Sequence, residues 1–316
     1  MILFTGGKTG GHIIPLINII KASHLDSIYV GYKGYLEEKI CKTNMIEFIG
    51  IDVHKNKYKT ILKGYKYLKR KLKYLNIKAV VSTGGFVSTP AVLYAIKNKI
   101  PIYLIEENLI LGSFNKVFYP FCKKTYLAYD LNKMKRKYET IGLPLLIDNS
   151  SYKIEYDILI IGGSLGSRKL CDLALILAEK YKVLLIAGRY KNEYKNDSYT
   201  TLEYSNDLHT LIKKSRIIIS RAGAMTLGEI MYIKKPLICI PSKSTKGNHQ
   251  FYNAKYFQDK NALIMLDEDS AKNKILKAVD SIDDIKYADM INNQNKLMKK
   301  DSIKIITEEL MRINEL

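Results

Sequence analysis

Short apolar runs, rich in β-branched residues and bounded by glycine or polar residues, recur through the first part of the chain at residues 2–5, 27–30, 79–82, 102–105 and 125–128. Stretches of helical character separate them. This alternation predicts βαβ units on a parallel sheet. The segment "IGLPLLIDNSSYKIEY" (141–156) is turn-rich and polar toward its end, and reads as a linker. Beyond it the pattern restarts. "YDILIIGGSLGSRKL" (156–170) is an apolar strand, a glycine loop and a helix-like stretch, and 182–187, 217–220 and 236–240 read as further strands. Each half opens with strand, glycine loop and helix, as topological echoes rather than a sequence repeat. The pattern predicts an α/β protein of two Rossmann-like domains, 1–146 and 147–300, whose parallel sheets face an interdomain cleft. The end of the chain, 301–316, reads as an amphipathic helix.

The first glycine loop lies in "FTGGKTGGH" (4–12), where Gly7-Lys8-Thr9 looks like the end of a nucleotide triphosphate P-loop. A P-loop needs G-x-x-x-x-G-K-[ST], and counting back from Gly7 places the first glycine at Ile2. That reading fails. Gly6, Gly7, Gly10 and Gly11 instead let the backbone turn sharply and approach a ligand, while the helix from about His12 turns its free N–H groups toward the loop. Gly163, Ser164 and Gly166 build the same device in the second half. Neither loop has the dinucleotide spacing G-x-G-x-x-G. Binding of a nucleotide sugar, with its diphosphate held by loop amides, stays open.

Composition narrows the setting. The chain has 316 residues, 47% of them hydrophobic, enough for packed cores. No run of about 18 uncharged apolar residues occurs, so no transmembrane helix is expected, and the start lacks the form of a signal peptide. Cys41, Cys122, Cys171 and Cys239 are scattered without CxxC spacing, which argues against structural zinc or a disulfide framework and suits a reducing cytoplasm. The net charge of +20 suits nucleic acid, an anionic membrane surface or phosphorylated substrates. Abundant Lys, Ile, Asn and Tyr, as an AT-rich genome would produce, account for part of that total.

Several stretches together resemble one family. "GGKTGGHIIP" resembles GGGTGGHxxP, and "STGGFVSTP" (82–90) looks like that family's second glycine loop. "IEENLILGSFNK" (105–116) is similar to HEQNxxxGxxNK, and "GGSLGS" (162–167) to GGSQGA. "SRAGAMTLGEI" (220–230) nearly repeats SRAGAxTxxEI, and "NHQFYNA" (248–254) matches HQxxNA. In this order they resemble the MurG family of peptidoglycan N-acetylglucosaminyltransferases, in glycosyltransferase family 28. The resemblance implies a GT-B fold, an acceptor- and membrane-binding domain at 1–146 with the 301–316 helix packed back on it, and a donor-binding domain at 147–300. It implies inverting transfer of GlcNAc from UDP-GlcNAc to undecaprenyl-diphospho-MurNAc-pentapeptide (lipid I), giving lipid II, at the cytoplasmic face of the membrane. No DxD-like acidic pair sits in a matching place, so no bound metal or other cofactor is expected.

The same resemblance distributes roles. Glu229 would accept hydrogen bonds from the ribose hydroxyls, a task suited to a carboxylate facing two O–H donors. Ala224, Met225 and Thr226 would contact phosphate and ribose at a helix N-terminus. Gln250, with His249, would contact the sugar, Ser164 the donor through its loop, and Ser205 the uracil edge. Thr9, Gly10 and Gly11 would bind a diphosphate or reach the donor. Gly84, Gly85, Ser88, Asn108 and Asn115 would line the acceptor site, and Asn108 would position sugar hydroxyls. His12 is the candidate base, expected to stay neutral because a helix N-terminus disfavours its cation. Glu106 is the rival base or a supporting group. The chain departs from the motifs at Lys8 (glycine in the family), Ile105 (histidine), Glu107 (glutamine) and Leu146 (arginine). Lys8 or Arg168 is a candidate to replace the missing guanidinium.

Residues 58–78 contain no acidic residue. Ile61, Tyr65, Leu68, Leu72 and Leu75 fall on one helical face, ringed by basic residues that include Lys69, Arg70 and Lys73. Such a face reads either as core-facing or as an interfacial anchor on anionic lipid, with Ile61, Tyr65, Leu68 and Leu72 as its apolar contacts. Two rivals remain. One is another UDP-sugar enzyme, such as a non-hydrolysing epimerase, against which the 105–116 and 248–254 elements argue. The other is a nucleic-acid binder, prompted by a sequence pI of about 9.5; no RRM, KH, zinc-finger or clear helix-turn-helix signature supports it, and no nucleic acid partner is expected.

Overall fold

The computed structural model describes residues 1–7, 9–130, 138–163, 166–205, 207–299 and 301–315. Lys8 and Ser164 fall outside these, as does Leu165. The chain forms two compact units, Met1–Leu146 with Lys299–Leu316, and Ile147–Met298.

In the first unit the strands are β1 (Ile2–Gly6), β2 (Ser27–Tyr32), β3 (Glu47–Ile51), β4 (Ala79–Gly84), β5 (Ile102–Glu106), β6 (Lys124–Leu127) and β7 (Tyr138–Thr140), in sheet order 3-2-1-4-5-6-7. In the second they are β8 (Tyr156–Ile161), β9 (Val183–Ile186), β10 (Thr200–Leu202), β11 (Ser215–Ser220), β12 (Leu237–Cys239) and β13 (Ile264–Met265), in order 10-9-8-11-12-13. All the described pairings are parallel. Each sheet therefore reverses its strand order once, between β1 and β4 and between β8 and β11. The carboxyl ends of those strands are where an open α/β sheet leaves room for a ligand.

The central strands are buried along their length, and helices cover both faces. Behind β1, helix Gly10–Ser23 puts Ile13, Leu16, Ile17 and Ile20 against Ile306, Leu310 and Ile313 of the terminal helix Ser302–Glu315. Tyr103 on β5 donates to Glu309 (3.0 Å), and Ser302 donates to the Leu143 carbonyl (2.5 Å). The terminal helix is thus part of the first unit's core, although the second unit lies between them in sequence. The helix start is tied to the sheet by Thr83, whose hydroxyl donates to the His12 carbonyl (2.6 Å). That approach leaves no space for a side chain at residue 6, where a Cβ would lie 2.1 Å from Thr83 Oγ1.

Helix Lys57–Lys71 corrects one expectation. Its core stripe is Thr60, Gly64 and Leu68, and Leu72 follows just beyond the helix end. Leu68 and Leu72 are 0% exposed and pack with Val80, Ala91 and Val92, so neither is available to lipid. Ile61 and Tyr65 are half-buried, while Lys69, Arg70 and Lys73 are exposed. The large apolar groups that do face outward are Tyr58 (78% exposed), Leu62 (62%) and Tyr74 (85%). Among the described residues, no helix is long and apolar enough to cross a membrane.

Truncating Leu310 should open a cavity between the first and last helices. Leu310→Ala is expected to lower stability by about 2–5 kcal/mol, read as a lower urea midpoint with an unchanged slope.

Candidate functional site

In the first unit the loops after β1, β4 and β5 carry the motif residues. Helix Gly10–Ser23 starts at Thr9, whose extended backbone precedes it without a side-chain cap, and its first turn holds no acidic residue. Gly84, the last residue of β4, and Gly85 after it have positive φ. The loop is held from within: Ser82 Oγ accepts from the Gly84 amide (3.0 Å), and Ser88 Oγ donates to the Gly84 carbonyl (2.8 Å).

Glu106 closes β5 as a buried carboxylate with both oxygens engaged. Oε1 accepts from the Asn108 amide (3.1 Å) and Asn108 Nδ2 (3.2 Å). Oε2 accepts from the Gly112 amide (2.7 Å) and Asn115 Nδ2 (2.9 Å). Such a carboxylate is a scaffold for the loop that follows it, and it has no lone pair directed at a substrate proton. The expectation of Glu106 as rival base is corrected on this ground. Ser88 and Asn115 are also corrected as acceptor contacts. Both are buried, and Ser88's hydroxyl and Asn115's amide nitrogen bond inside the loops, so they shape the site rather than touch a ligand. Asn108 is half-buried, with its amide nitrogen turned to Glu106.

His12 Nδ1 lies 3.5 Å from Glu107 Oε2, with the imidazole 31% exposed and the carboxylate 3%. Burial by itself lowers the imidazole's pKa, but Glu107 and then Glu106 outweigh it and leave it raised. The expectation that the helix N-terminus sets the ring's proton affinity is incomplete: two buried carboxylates act in the opposite direction and raise it. Burial raises the Glu107 carboxyl in turn, with Glu106 adding and His12 opposing.

In the second unit the loops after β8 and β11 meet at the strand-order reversal. Gly166 (φ +76°) passes so close to the Ala187 carbonyl that a Cβ would lie 2.3 Å from that oxygen. Arg221 joins the loops: it donates to Ser167 Oγ (2.7 Å) and the Ile240 carbonyl (3.0 Å), and pairs with Glu268 (2.6 Å). Burial works against the Glu268 charge, yet Arg221 and Lys169 hold its carboxyl below the usual range. Helix Ala224–Tyr232 then begins at Gly223 without a side-chain cap. Ala224 and Met225 are buried, so their backbone amides are what they can offer, while Thr226 is half-buried.

Glu229, in the second turn of that helix, is 13% exposed and lies 3.4 Å from His209 Nε2. Helix Leu208–Lys213 brings His209 there, capped by Asp207, which accepts from the Thr210 amide (3.1 Å). Ser205 accepts from the Asp207 amide (3.1 Å) and so belongs to the same turn. Gln250 accepts from the Ser242 amide (2.9 Å), and Asn253 donates to the Ala222 carbonyl (3.2 Å), so helix His249–Gln258 supports the loops after β12 and β11. His249 opens that helix. Arg168 is engaged by Glu193 (2.9 Å), and Leu146 is exposed. His209, Asn253, Glu268 and the pairing role of Glu107 escape a reading of the sequence. Asn253 stood inside a recognised motif, whereas nothing local marks His209 or Glu268.

Residues 2–127 match the family described as the glycosyltransferase family 28 N-terminal domain, and 157–310 match its C-terminal domain. A relative from Clostridium botulinum (strain Alaska E43 / Type E3) is 30% identical over 98% of this chain and 97% of its own. One from Borreliella afzelii (strain PKo) is 32% identical over 99% and 96%. Both are named UDP-N-acetylglucosamine–N-acetylmuramyl-(pentapeptide) pyrophosphoryl-undecaprenol N-acetylglucosamine transferase. The crystal structure of Acinetobacter baumannii MurG has the same fold, with a TM-score of 0.81 over 98% of both chains at 19% identity. A UDP-N-acetylglucosamine 2-epimerase reaches 0.69 at 13% identity, over 98% of this chain and 95% of that one.

Glu106→Gln would set an N–H against donors that now find an oxygen. The variant is expected to lose about 1–3 kcal/mol, with faster hydrogen exchange at the Asn108 and Gly112 amides than elsewhere in the first unit.

Proposed function

The chain belongs to glycosyltransferase family 28, and we propose that it transfers N-acetylglucosamine from UDP-N-acetylglucosamine to undecaprenyl-diphospho-N-acetylmuramoyl-pentapeptide, the step that makes lipid II for peptidoglycan. The relatives that bear this activity in their names match along nearly the whole chain. The observation that carries the reading is Glu229, a mostly buried carboxylate on the helix that opens at the strand-order reversal of the second sheet. A carboxylate there accepts from both ribose hydroxyls. Amides of the adjoining loops and the helix N-terminus face a diphosphate.

In this mechanism the second unit holds the donor and the first the acceptor. The acceptor's 4-hydroxyl oxygen attacks the anomeric carbon from the face opposite the nucleotide. The bond to UDP breaks with its electron pair, and the α-linked donor becomes a β-linked product. His12 takes the hydroxyl proton. Loop amides and the N-terminus of helix Ala224–Tyr232 stabilise the charge that builds on the departing diphosphate, and the reading calls on no metal. Asn108 orients sugar hydroxyls beside His12.

Incubation with UDP-GlcNAc and a lipid I analogue should yield a lipid-linked disaccharide, and turnover should persist in EDTA. A product that is instead an epimerised UDP-sugar would overturn the reading. Glu229→Ala is expected to weaken donor binding measured by calorimetry while leaving acceptor binding intact. His12→Ala should do the reverse to catalysis, with donor binding kept and turnover slowed about 10²-fold or more.

The first unit also docks, in this reading, on the anionic cytoplasmic face of the membrane, because an undecaprenyl chain cannot leave the bilayer cheaply. With Leu68 and Leu72 in the core, the contact falls to Lys69, Arg70, Lys73 and their basic neighbours, with Tyr58, Leu62 and Tyr74. Basic groups near such a surface contribute about 1 kcal/mol each. Replacing Lys69, Arg70, Lys71 and Lys73 by glutamine should reduce sedimentation with anionic vesicles, while turnover on a short-chain soluble acceptor survives. Equal vesicle binding by parent and variant would remove the membrane role from this helix.

A further inference from the structure

Two adjacent carboxylates end β5 in opposite circumstances. Glu106 is satisfied by backbone and amide donors on both oxygens. Glu107 is as deeply buried, yet its Oε1 has no hydrogen-bond partner, and its Oε2 faces His12 Nδ1 at 3.5 Å. Among the described residues the imidazole is the one basic group paired with it. The carboxylate sits under the first turn of helix Gly10–Ser23, where a Cβ on Gly11 would lie 3.8 Å from Oε2. Nδ1 itself is buried and makes no hydrogen bond, its approach to Glu107 Oε2 at 3.5 Å being that of a charge pair. The exposed part of the ring is therefore its other edge, which carries Nε2.

We propose that Glu107 is the positioning residue for His12: it keeps Nδ1 turned inward with its proton, presents Nε2 to the acceptor hydroxyl, and pairs with the imidazolium formed when that hydroxyl is deprotonated. The proposal rests on the reading of His12 as the base. In the step, the hydroxyl proton moves to Nε2 as the oxygen bonds to the anomeric carbon, Nδ1 keeps its own proton, and the positive charge lies against the Glu107 carboxylate. Separating two neighbouring acids by environment is how one site keeps a scaffold and a proton partner side by side. The glutamine implied by family resemblance at this position offers an oxygen to Nδ1 but no charge for the imidazolium.

Among the described residues, the titratable groups around the ring are few. Glu107 and Glu106 face it from β5. Across the glycine loop stand Tyr29 of β2, whose hydroxyl donates to the Gly6 carbonyl (2.8 Å), and Glu37 of helix Leu36–Thr43, which lies against Gly7. His12's own helix has no acid in its first turn, and Lys21 lies in its last. The carboxylates outweigh burial and leave the imidazole raised, so removing the charge at 107 must lower it.

The test is Glu107→Gln in the full chain, beside Glu107→Asp, which keeps the charge. With histidine labelled at Cε1 and the His12 resonance assigned by His12→Gln, NMR titration should show proton affinity falling about tenfold or more in the glutamine variant, and much less in the aspartate one. With UDP-GlcNAc and a lipid I analogue, the acid limb of kcat/KM should move to lower pH by the same factor. The plateau should fall at least several-fold while the donor KM holds. An unchanged His12 midpoint in both variants would overturn the proposal, as would a loss uniform across pH with a raised donor KM. The NMR arm decides the pairing even if the transferase reading itself fails.

Discussion

Burying charge next to a glycine loop is the constraint on which the arrangement of the first unit's loops depends. An ionised carboxylate out of water is costly unless donors or an opposite charge surround it. Glu106 meets that demand with main-chain and amide donors, and in doing so fixes the course of the chain from Asn108 to Gly112 and the placement of helix Ser113–Phe118 through Asn115. Glu107 meets it through His12 and the N-terminus above it. The glycines of the first loop follow from the same constraint. The helix must start low over the sheet for His12 to reach Glu107, and Gly6 is the residue that lets it, with Thr83 bonded to the His12 carbonyl where a side chain would stand.

The second unit reaches an equally fixed pair of loops by another route. There the ordering element is a cation. The Arg221 guanidinium spans Ser167 on the loop after β8, the carbonyl of Ile240 after β12 and the Glu268 carboxylate after β13. Lys169 and Lys243 extend the network to Asp267 and Asp269. A planar fork of donors suits this task, since it holds several acceptors in one plane. The consequence is that Ser167, at the end of the loop after β8, is tied to the loop after β11 that carries Arg221.

The sequence is legible where burial is uniform. Strands β1, β2, β4, β5, β6, β8, β9, β11 and β12 stand out as apolar runs because both their faces are covered. β3, β7, β10 and β13 escape that reading, and these are the four sheet edges. Apart from Ile51 their residues are half-exposed or exposed, so burial on both faces does not set them apart and pairing with a neighbour makes them strands. The site shows the same division. Glycine loops and Glu229 carry local signatures. His12 and Glu229 are paired with residues distant in sequence, Glu107 for one and His209 for the other, and spacing along the chain says nothing about such pairs. Ser88 and Asn115 were misplaced for a related reason: a motif marks them, but burial decides whether they face a ligand or hold the loop.

Helix Lys57–Lys71 shows how a single periodicity can serve two surfaces. Its core stripe consists largely of small groups, Thr60 and Gly64, with Leu68 and the following Leu72 as anchors. At Gly64 the helix comes so near its neighbours that a Cβ would lie 2.9 Å from Ile51 and 3.0 Å from Pro90. Close approach through small residues fixes the helix without consuming its larger apolar side chains. Leu62 and Tyr58 are thereby left outside, among lysines that have no acidic residue of their own helix to pair with. An ordinary core-facing helix would bury its large apolar groups and expose charge of both signs. This one is rigid from behind, cationic in front and partly apolar at its exposed surface. Those are the properties that reversible attachment to an anionic lipid surface requires of a helix that also belongs to a folded core.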